Sequence, residues 1–353
     1  MADSPFDALA SPAQTIGRYF SILSVIPSAL LVTFVLVLHN SQAWSGHPDF
    51  GHGFSSLGDG GFGKVGQIAL ASLLVGLVLQ PLQYTLVQLA EGYWGTSKLA
   101  TWLMLRRIEH HRQVRKTLNT TVAEAIRMLE AAGESPLNPD HEPVSEGNLV
   151  HLVRFDEANR ALASYPHRPN DVRPTRLGNI LRRYESEGGE PYGLGVPTIA
   201  PHVGLIAPRD HTDYVDDQRT QMDLAVRLVV INLLASLLAV VFLWRDGLWL
   251  LIAVGPYALA YVFYRGAVTL AADYGTALAT VVDLNRFLLY DRLHLPVPNN
   301  SVEERTQSAQ LMTLLRSDLH PDERTIVDLT FSTAAPAKRR RRRFRVTGPP
   351  DRA

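Results

Sequence analysis

Four blocks of the chain carry apolar residues all round a helix instead of along one stripe. They occupy residues 19–38, 65–89, 224–244 and 248–264, and the first contains no charge. About 20 such residues cross the hydrocarbon core of a bilayer. A helix that is apolar all round lies in lipid or inside a large core. The rest of the chain is too short and too polar to enclose four buried helices, so the pattern predicts four membrane spans.

The first block also has features of a secretory signal peptide. Ser41-Gln42-Ala43 resembles a small-x-small cleavage site. The apolar stretch is longer than the core of about 7–15 residues that is usual for a signal peptide, and its basic flank is Arg18 alone. We therefore expect a retained helix.

The blocks come in pairs, which predicts an all-α integral membrane protein with four transmembrane helices in two hairpins and a helical cytoplasmic portion. The predicted segments are a cytoplasmic N-terminus at 1–18, hairpin 1 at 19–94 (helices at about 19–39 and 65–89, external loop 40–64), a cytoplasmic segment at 95–223, hairpin 2 at 224–266 (helices at about 224–244 and 248–265), a cytoplasmic helical region at 267–331 and a disordered Arg-rich tail at 332–353.

Basic residues predict the orientation, because Lys and Arg are retained on the cytoplasmic side. The two loops predicted outside carry only Lys64 and Arg245. The flanks predicted inside carry Arg18, Lys98, Arg106, Arg107, Arg112, Arg115, Lys116, Arg209, Arg219, Arg227, Arg265, Arg286 and Arg292. We expect a multi-pass protein of a bacterial inner membrane with both termini in the cytoplasm.

Helical patterns also occur outside the apolar blocks. Apolar residues recur at helical spacing over 99–129 and, as a mixed stripe, over 267–290. A short helix is predicted at 151–162, and another at 175–184 with Thr175 as its cap. The two hairpins are therefore each followed by a helix.

Composition narrows the chemistry. The 353 residues hold 34 Lys plus Arg against 34 Asp plus Glu, which excludes a protein whose whole surface binds nucleic acid. The chain has no Cys, which excludes disulfides, thiolate zinc sites and thiol catalysis. Arg far outnumbers Lys, as is typical of a GC-rich bacterial genome. No cofactor is expected.

The C-terminal tail contains a basic run. It comprises Lys338, Arg339, Arg340, Arg341, Arg342, Arg343 and Arg345. Such a run is usually a solvated tail, but near a cytoplasmic leaflet each cation gains about 1 kcal/mol from anionic lipid. Anionic lipid is therefore the first interpretation, and RNA or an acidic protein partner is the second.

An acidic cluster precedes the third apolar block. Asp210, His211, Asp213, Asp216 and Asp217 offer the ligands that a divalent cation prefers. The cluster lacks the form of a calcium loop, and carboxylates at a helix start also favour its dipole. We expect these residues to stabilise the helix start, and a metal site is the alternative.

Other candidate motifs are weak. His110 and His111 lie among Arg residues, which repel cations, so a solvated helix face is expected. The Gly-rich stretch at 58–64 lacks phosphate-loop spacing and is expected to be a flexible linker. The chain has no Walker loop, no G-x-S-x-G elbow and no H-E-x-x-H motif. We therefore expect no enzymatic activity.

Polar residues inside the apolar blocks are more informative, because polar groups in a membrane need partners or water. Pro81 is expected to kink the second helix. The candidates for pore lining or helix packing are Gln80, Pro81, Gln83, Tyr84, Gln88 and Asn232. Both roles remain open for each of them.

One segment resembles a known family. Arg176-Leu177-Gly178-Asn179, then Tyr192-Gly193-Leu194 and Pro201, are similar to elements of an uncharacterised family of actinobacterial multi-helix membrane proteins. Gly195, Ala200 and His202 replace the Asp, Trp and Arg of that family's pattern. The stretch at 274–298 is also similar to the family. The resemblance covers about a third of the chain, and it implies fold and membrane location but no chemistry.

The combined features predict a non-enzymatic, homo-oligomeric channel or pore. Two hairpins separated by a cytoplasmic segment are similar to the topology of bestrophin channels, although their acidic calcium-binding run is absent. A membrane-anchored scaffold or sensor that recruits a cytoplasmic partner is the alternative. A metal-dependent enzyme using Asp210, His211 and Asp213 is the third hypothesis.

Overall fold

The computed structural model describes residues 26–45, 47–58, 61–134, 145–315, Leu329 and Phe331. This part of the chain forms eleven α-helices, joined by turns and short 3₁₀ segments, and no strand. The helices are α1 Ile26–Asn40, α2 Phe50–Gly58, α3 Gly61–Leu79, α4 Gln83–Glu91, α5 Lys98–Ala131, α6 Leu149–Leu162, α7 Arg176–Glu187, α8 Val196–Ile206, α9 Arg209–Leu243, α10 Val254–Arg292 and α11 Ser301–Leu315. The all-α prediction is confirmed for these residues.

Three segments are long and apolar enough to cross a membrane. They are α3, α9, and α10 together with the 3₁₀ turn before it, Gly247–Arg292. Large apolar side chains are exposed along all three: Leu70, Leu74, Leu77, Leu237, Val241, Leu259 and Val262. These spans suggest a multi-pass membrane protein. The first predicted helix is described only as α1, an apolar helix of 15 residues that is shorter than a span.

The long helices α9 and α10 form the central antiparallel pair. Alanines of both helices are buried where they meet: Ala225, Ala235, Ala239, Ala260, Ala267 and Ala271. Small residues allow the two backbones to approach closely, which is how helices associate in lipid. At the turn between the helices, Leu38 and Ala43 pack against Ala239, Leu243 and Ala253. This cluster joins the end of α1 to the central pair.

Both helices of the second predicted hairpin are longer than the apolar pattern indicated. α9 begins at Arg209, 15 residues before the predicted start at 224, and thus includes the acidic cluster. The predicted fourth helix begins as a 3₁₀ turn at Gly247–Ala253, and α10 then continues past 266 to Arg292. Hydropathy marks where a helix enters lipid, but the helix itself continues while its backbone hydrogen bonds and side-chain packing support it.

The loop predicted at 40–64 is more ordered than expected. It contains α2, and Gly61–Lys64 form the first turn of α3 instead of a flexible linker. Gly53 of α2 lies against Ser41 and the backbone of Val37. That close contact, together with packing against α1, stabilises a helix that its glycine-rich sequence disfavours.

The second half of α10 is covered by α7, α8 and α11. Leu194, Val196 and Ile199 contribute to one buried cluster with Val282 and Tyr290 of α10. The helix predicted at 175–184 is confirmed as α7, and the Pro-rich stretch after it forms α8. The second half of α10 thus provides the surface on which α7, α8 and α11 pack.

The predicted helices at 99–129 and 151–162 are confirmed as α5 and α6. α5 has 34 residues and is therefore about 50 Å long. Ala125 and Leu129 of α5 are buried, as are Phe155 and Ala158 of α6. The two helices pack against each other, and the loop after α6 returns along α5 towards α7. This α5–α6 hairpin is a second unit beside the central α9–α10 pair.

Candidate functional site at a broken helix

The second apolar block is interrupted where the sequence contains Pro81. α3 ends at Leu79, residues 80–82 form a turn, and α4 begins at Gln83. Proline lacks an N–H and clashes with the preceding turn, which breaks the helix at this position. The predicted kink is therefore a full interruption, and it changes the directions in which the neighbouring polar side chains point.

Gln83 faces the central pair. Its Nε2 donates a hydrogen bond to the carbonyl oxygen of Asp223 at 3.0 Å. Its Oε1 accepts a hydrogen bond from Nε of Arg227 at 2.8 Å. Arg227 is only 2% exposed and lies three residues inside the apolar part of α9. The amide of Gln83 thus satisfies a buried guanidinium and attaches α4 to α9.

The other polar candidates of the broken helix do not face the central pair. They are Gln80, Tyr84 and Gln88. Gln80 is exposed, the side chain of Tyr84 is 69% exposed, and Gln88 is partly buried. Pro81 is exposed at the break itself. We call Gln80, Tyr84 and Gln88 the outer stripe. Gln83 thus packs against α9, whereas the outer stripe faces away from it.

Asn232, the remaining candidate, is partly buried in α9. Its Nδ2 donates a hydrogen bond to the carbonyl oxygen of Leu228, one turn earlier in the same helix, at 2.8 Å. The side-chain amide is therefore hydrogen-bonded within its own helix.

The end of α4 holds a carboxyl group with a changed pKa. Burial is the main reason that the pKa of Glu91 is raised to about 7. The carboxylates of Glu185 and Asp223 raise this pKa as well, whereas the guanidinium of Arg173 lowers it. Glu91 therefore changes charge near neutral pH, at the end of the helix that carries the outer stripe.

The Arg176-Leu177-Gly178-Asn179 element fixes α7 against this same end of α4. Thr175 caps α7 by accepting a hydrogen bond from the N–H of Gly178 at 3.0 Å, and its Oγ1 donates to the carbonyl oxygen of Glu91 at 2.9 Å. A Cβ on Gly178 would overlap that carbonyl. Asn179 is fully buried and bonds to the backbone of Arg173 at 2.7 and 3.0 Å. The element has a structural explanation, which is close contact between α4 and α7.

The second element of the resemblance, Tyr192-Gly193-Leu194, also has a structural explanation. Tyr192 stacks on the guanidinium of Arg286 at 4.1 Å, and Arg286 forms an ion pair with Glu304 of α11 at 2.8 Å. Gly193 has a φ of 75°, a left-handed conformation that favours glycine, and it lies against the backbone of Arg305. These contacts join the α7–α8 connection, α10 and α11.

The acidic cluster lies in the first three turns of α9. Asp210 is in the first turn, where a carboxylate favours the helix dipole, but the cap position is Pro208, which makes no side-chain bond. His211 Nδ1 lies 3.0 Å from Nδ2 of Asn285. Within the described residues, no group of three or more His, Asp and Glu side chains is placed to hold a metal ion, and Asp213 is exposed.

The expectation of a solvated face was wrong for His111. Its side chain is 3% exposed, and its Nδ1 lies 3.0 Å from Oη of Tyr165. Burial, and then the charge of Arg107, lowers the pKa of His111 to about 4. A neutral histidine suits this packed position between α5 and the loop after α6.

The basic tail from Lys338 to Arg345 lies outside the described residues.

Sequence reasoning did not identify Asp223, Arg227 and Glu91 as site residues. Arg227 was used only as an indicator of sidedness. The available signal was its position inside the apolar run that begins at Leu224, because an ionisable residue within a span usually has a specific partner. The partner itself, Gln83, is 144 residues away in the chain.

Comparison of the chain with protein-family models, curated proteins and solved structures finds no match. Its function is therefore inferred from its own geometry.

Proposed function

We propose that the chain is a homo-oligomeric channel of a bacterial inner membrane. It has four spans, the first supplied by the block at 19–38 that includes α1, and both termini lie in the cytoplasm. The basic residues around α5 and before α9 support that orientation. The residues at 176–179 and 192–194 support a relation to the actinobacterial membrane family.

The outer stripe is the observation on which the channel proposal depends. An isolated copy would hold Gln80, Tyr84 and Gln88 at its surface beside an apolar span. Gln80 follows the span α3 directly, and polar groups at the edge of a membrane face protein or water instead of hydrocarbon. When several copies turn their outer stripes towards a shared axis, water along that axis forms hydrogen bonds with these polar groups. The broken α3–α4 segment supports the same role, because interrupted helices recur at the ion sites of membrane proteins.

The experiment is ion flux through liposomes that contain the purified protein. We expect flux from the wild-type protein and a severalfold change in Gln80→Leu and Gln88→Leu, because each removes a polar group from the path. Gln113→Leu makes the same chemical change on the exposed face of α5 and should leave flux unchanged. Absence of flux from a folded oligomer, or an equal change in Gln113→Leu, would contradict the proposal.

A membrane-anchored scaffold is the second candidate. Apolar side chains are exposed on the α5–α6 hairpin: Leu99, Trp102, Leu105, Leu149, Val150 and Val153. Exposed apolar residues of this kind mark a binding surface. Removal of residues 338–353 and substitution of Trp102→Ser should release a bound cytoplasmic protein if the chain is a scaffold. A channel should keep its ion flux after both changes.

A further inference from the structure

The α5–α6 hairpin contains a cleft outside the candidate spans. It has a volume of about 430 Å³ and lies between α5 and Pro169 of the loop after α6. Five side chains from successive turns of α5 line it: Arg112, Arg115, Lys116, Asn119 and Thr120. Residues three and four apart on a helix share a face, so three cations and two hydrogen-bonding groups converge on one space.

The two guanidinium groups are held in position by the loop. Nε of Arg112 donates a hydrogen bond to the carbonyl oxygen of Pro169 at 3.2 Å. The guanidinium of Arg115 donates to the carbonyl oxygen of His167. Each guanidinium has five N–H donors, so most donors remain available to a ligand. Side chains that are already ordered lose less entropy when a ligand binds.

The three cations of the cleft have no ion-pair partner in the described part of the chain. Arg112, Arg115 and Lys116 form no ion pair there, and no carboxylate lines the cleft. Asp171 is the single carboxylate in the loop at 163–175, and it is engaged by Arg182 at 2.9 Å. An anion is therefore the ligand that this arrangement favours.

We propose that the cleft binds a phosphate group. Arginine matches the geometry of phosphate oxygens with paired N–H donors, and lysine adds a point charge. Asn119 can donate an N–H of its side-chain amide to a remaining oxygen. The phosphate belongs either to a soluble phosphate ester or to the headgroup of a membrane lipid, since α5 begins seven residues after α4 ends. The proposal does not rest on the channel proposal.

Lys116→Gln is the most informative variant. The ammonium of Lys116 makes no hydrogen bond or ion pair with the described residues, so its loss should leave the hairpin folded. We expect phosphate affinity to fall about tenfold, the effect of one charge-assisted hydrogen bond. Ala123→Phe fills the floor of the cleft and should abolish binding. Arg127→Gln removes an exposed cation one turn beyond the cleft and is the matched control.

Two measurements on the full chain distinguish the sources of phosphate. Calorimetry with inorganic phosphate in detergent detects a soluble-ligand site. Native mass spectrometry after release from nanodiscs of phosphatidylglycerol or phosphatidylcholine detects retained lipid. Binding in either measurement that Lys116→Gln weakens and Arg127→Gln does not supports the proposal and identifies the source. No binding in both measurements, or equal losses in the two variants, would overturn it.

Discussion

Glu91 shows how one buried carboxyl can make the fold sensitive to pH. It lies at the end of α4, where Thr175 bonds its carbonyl oxygen and Gly178 contacts its backbone. The side chain cannot move far into water without disturbing that contact. Because the pKa of Glu91 is raised, ionisation of its carboxyl lowers the free energy of unfolding.

We expect stability to fall as pH rises through neutrality. The folded protein binds a proton at Glu91 more tightly than the unfolded chain, because the pKa is raised from 4.5 to about 7. The stability from that proton is fully present below pH 4.5 and is lost as pH rises past 7. Glu91→Gln removes the ionisation, so its Tm should exceed that of the wild-type protein at pH 8 and equal it at pH 4.

The expected gain at pH 8 is about 2–4 °C, which corresponds to about 1.5–3 kcal/mol at an unfolding entropy of about 2.1 cal/mol/K per residue. Thermal unfolding in detergent at both pH values measures it. Glu124→Gln changes an exposed glutamate of α5 and serves as the control. If Glu91→Gln shows the same Tm difference between the two pH values as the wild-type protein, another group is responsible for that difference.

The individual helices were predictable because their signals are local. Apolar spacing predicted α5, α6 and α7, and Thr175 was recognised as a cap because Thr commonly occupies that position. The ends of α9 and α10 were not predictable from hydropathy. Their extensions are supported by α7, α8 and α11, which are distant in the chain. The interruption at Pro81 was anticipated because proline acts on its own helix.

The contact between α4 and α7 can be tested at Gly178. We expect Gly178→Ala to destabilise the protein by about 1–3 kcal/mol, the usual cost of overpacking, because the new Cβ overlaps the carbonyl of Glu91. Gly204→Ala introduces the same methyl group into α8 where no atom lies within 4 Å. It should be neutral or stabilise by up to about 1 kcal/mol.

Thermal unfolding in one detergent measures both glycine variants. The destabilisation of Gly178→Ala should come with faster hydrogen exchange at the end of α4, because that end is released from α7. Equal effects of the two substitutions would show that α4 and α7 are not in close contact.

The whole chain combines two environments. The faces of α3, α9 and α10 expose large apolar side chains, whereas the α5–α6 hairpin exposes many charged ones. A water-soluble protein rarely exposes apolar area of this extent.

We expect the chain to behave as an integral membrane protein in fractionation. Alkaline carbonate should leave it in the vesicle pellet, because carbonate disrupts ionic contacts but not apolar ones. Detergent should release it as an oligomer, measurable by light scattering. Release by carbonate, or a monodisperse species without detergent, would contradict membrane insertion and the oligomer together.

The sequence by itself determined the helical class, the apolar spans and the position of the break, because length, hydropathy and proline act over a few neighbouring residues. It also limited the candidates at the broken helix to five residues without assigning their directions. Only the tertiary structure turned Gln83 towards Arg227, buried His111 beside Tyr165 and aligned Arg112, Arg115 and Lys116 with the loop after α6. Each of these depends on contacts between distant parts of the chain, and no local pattern encodes them.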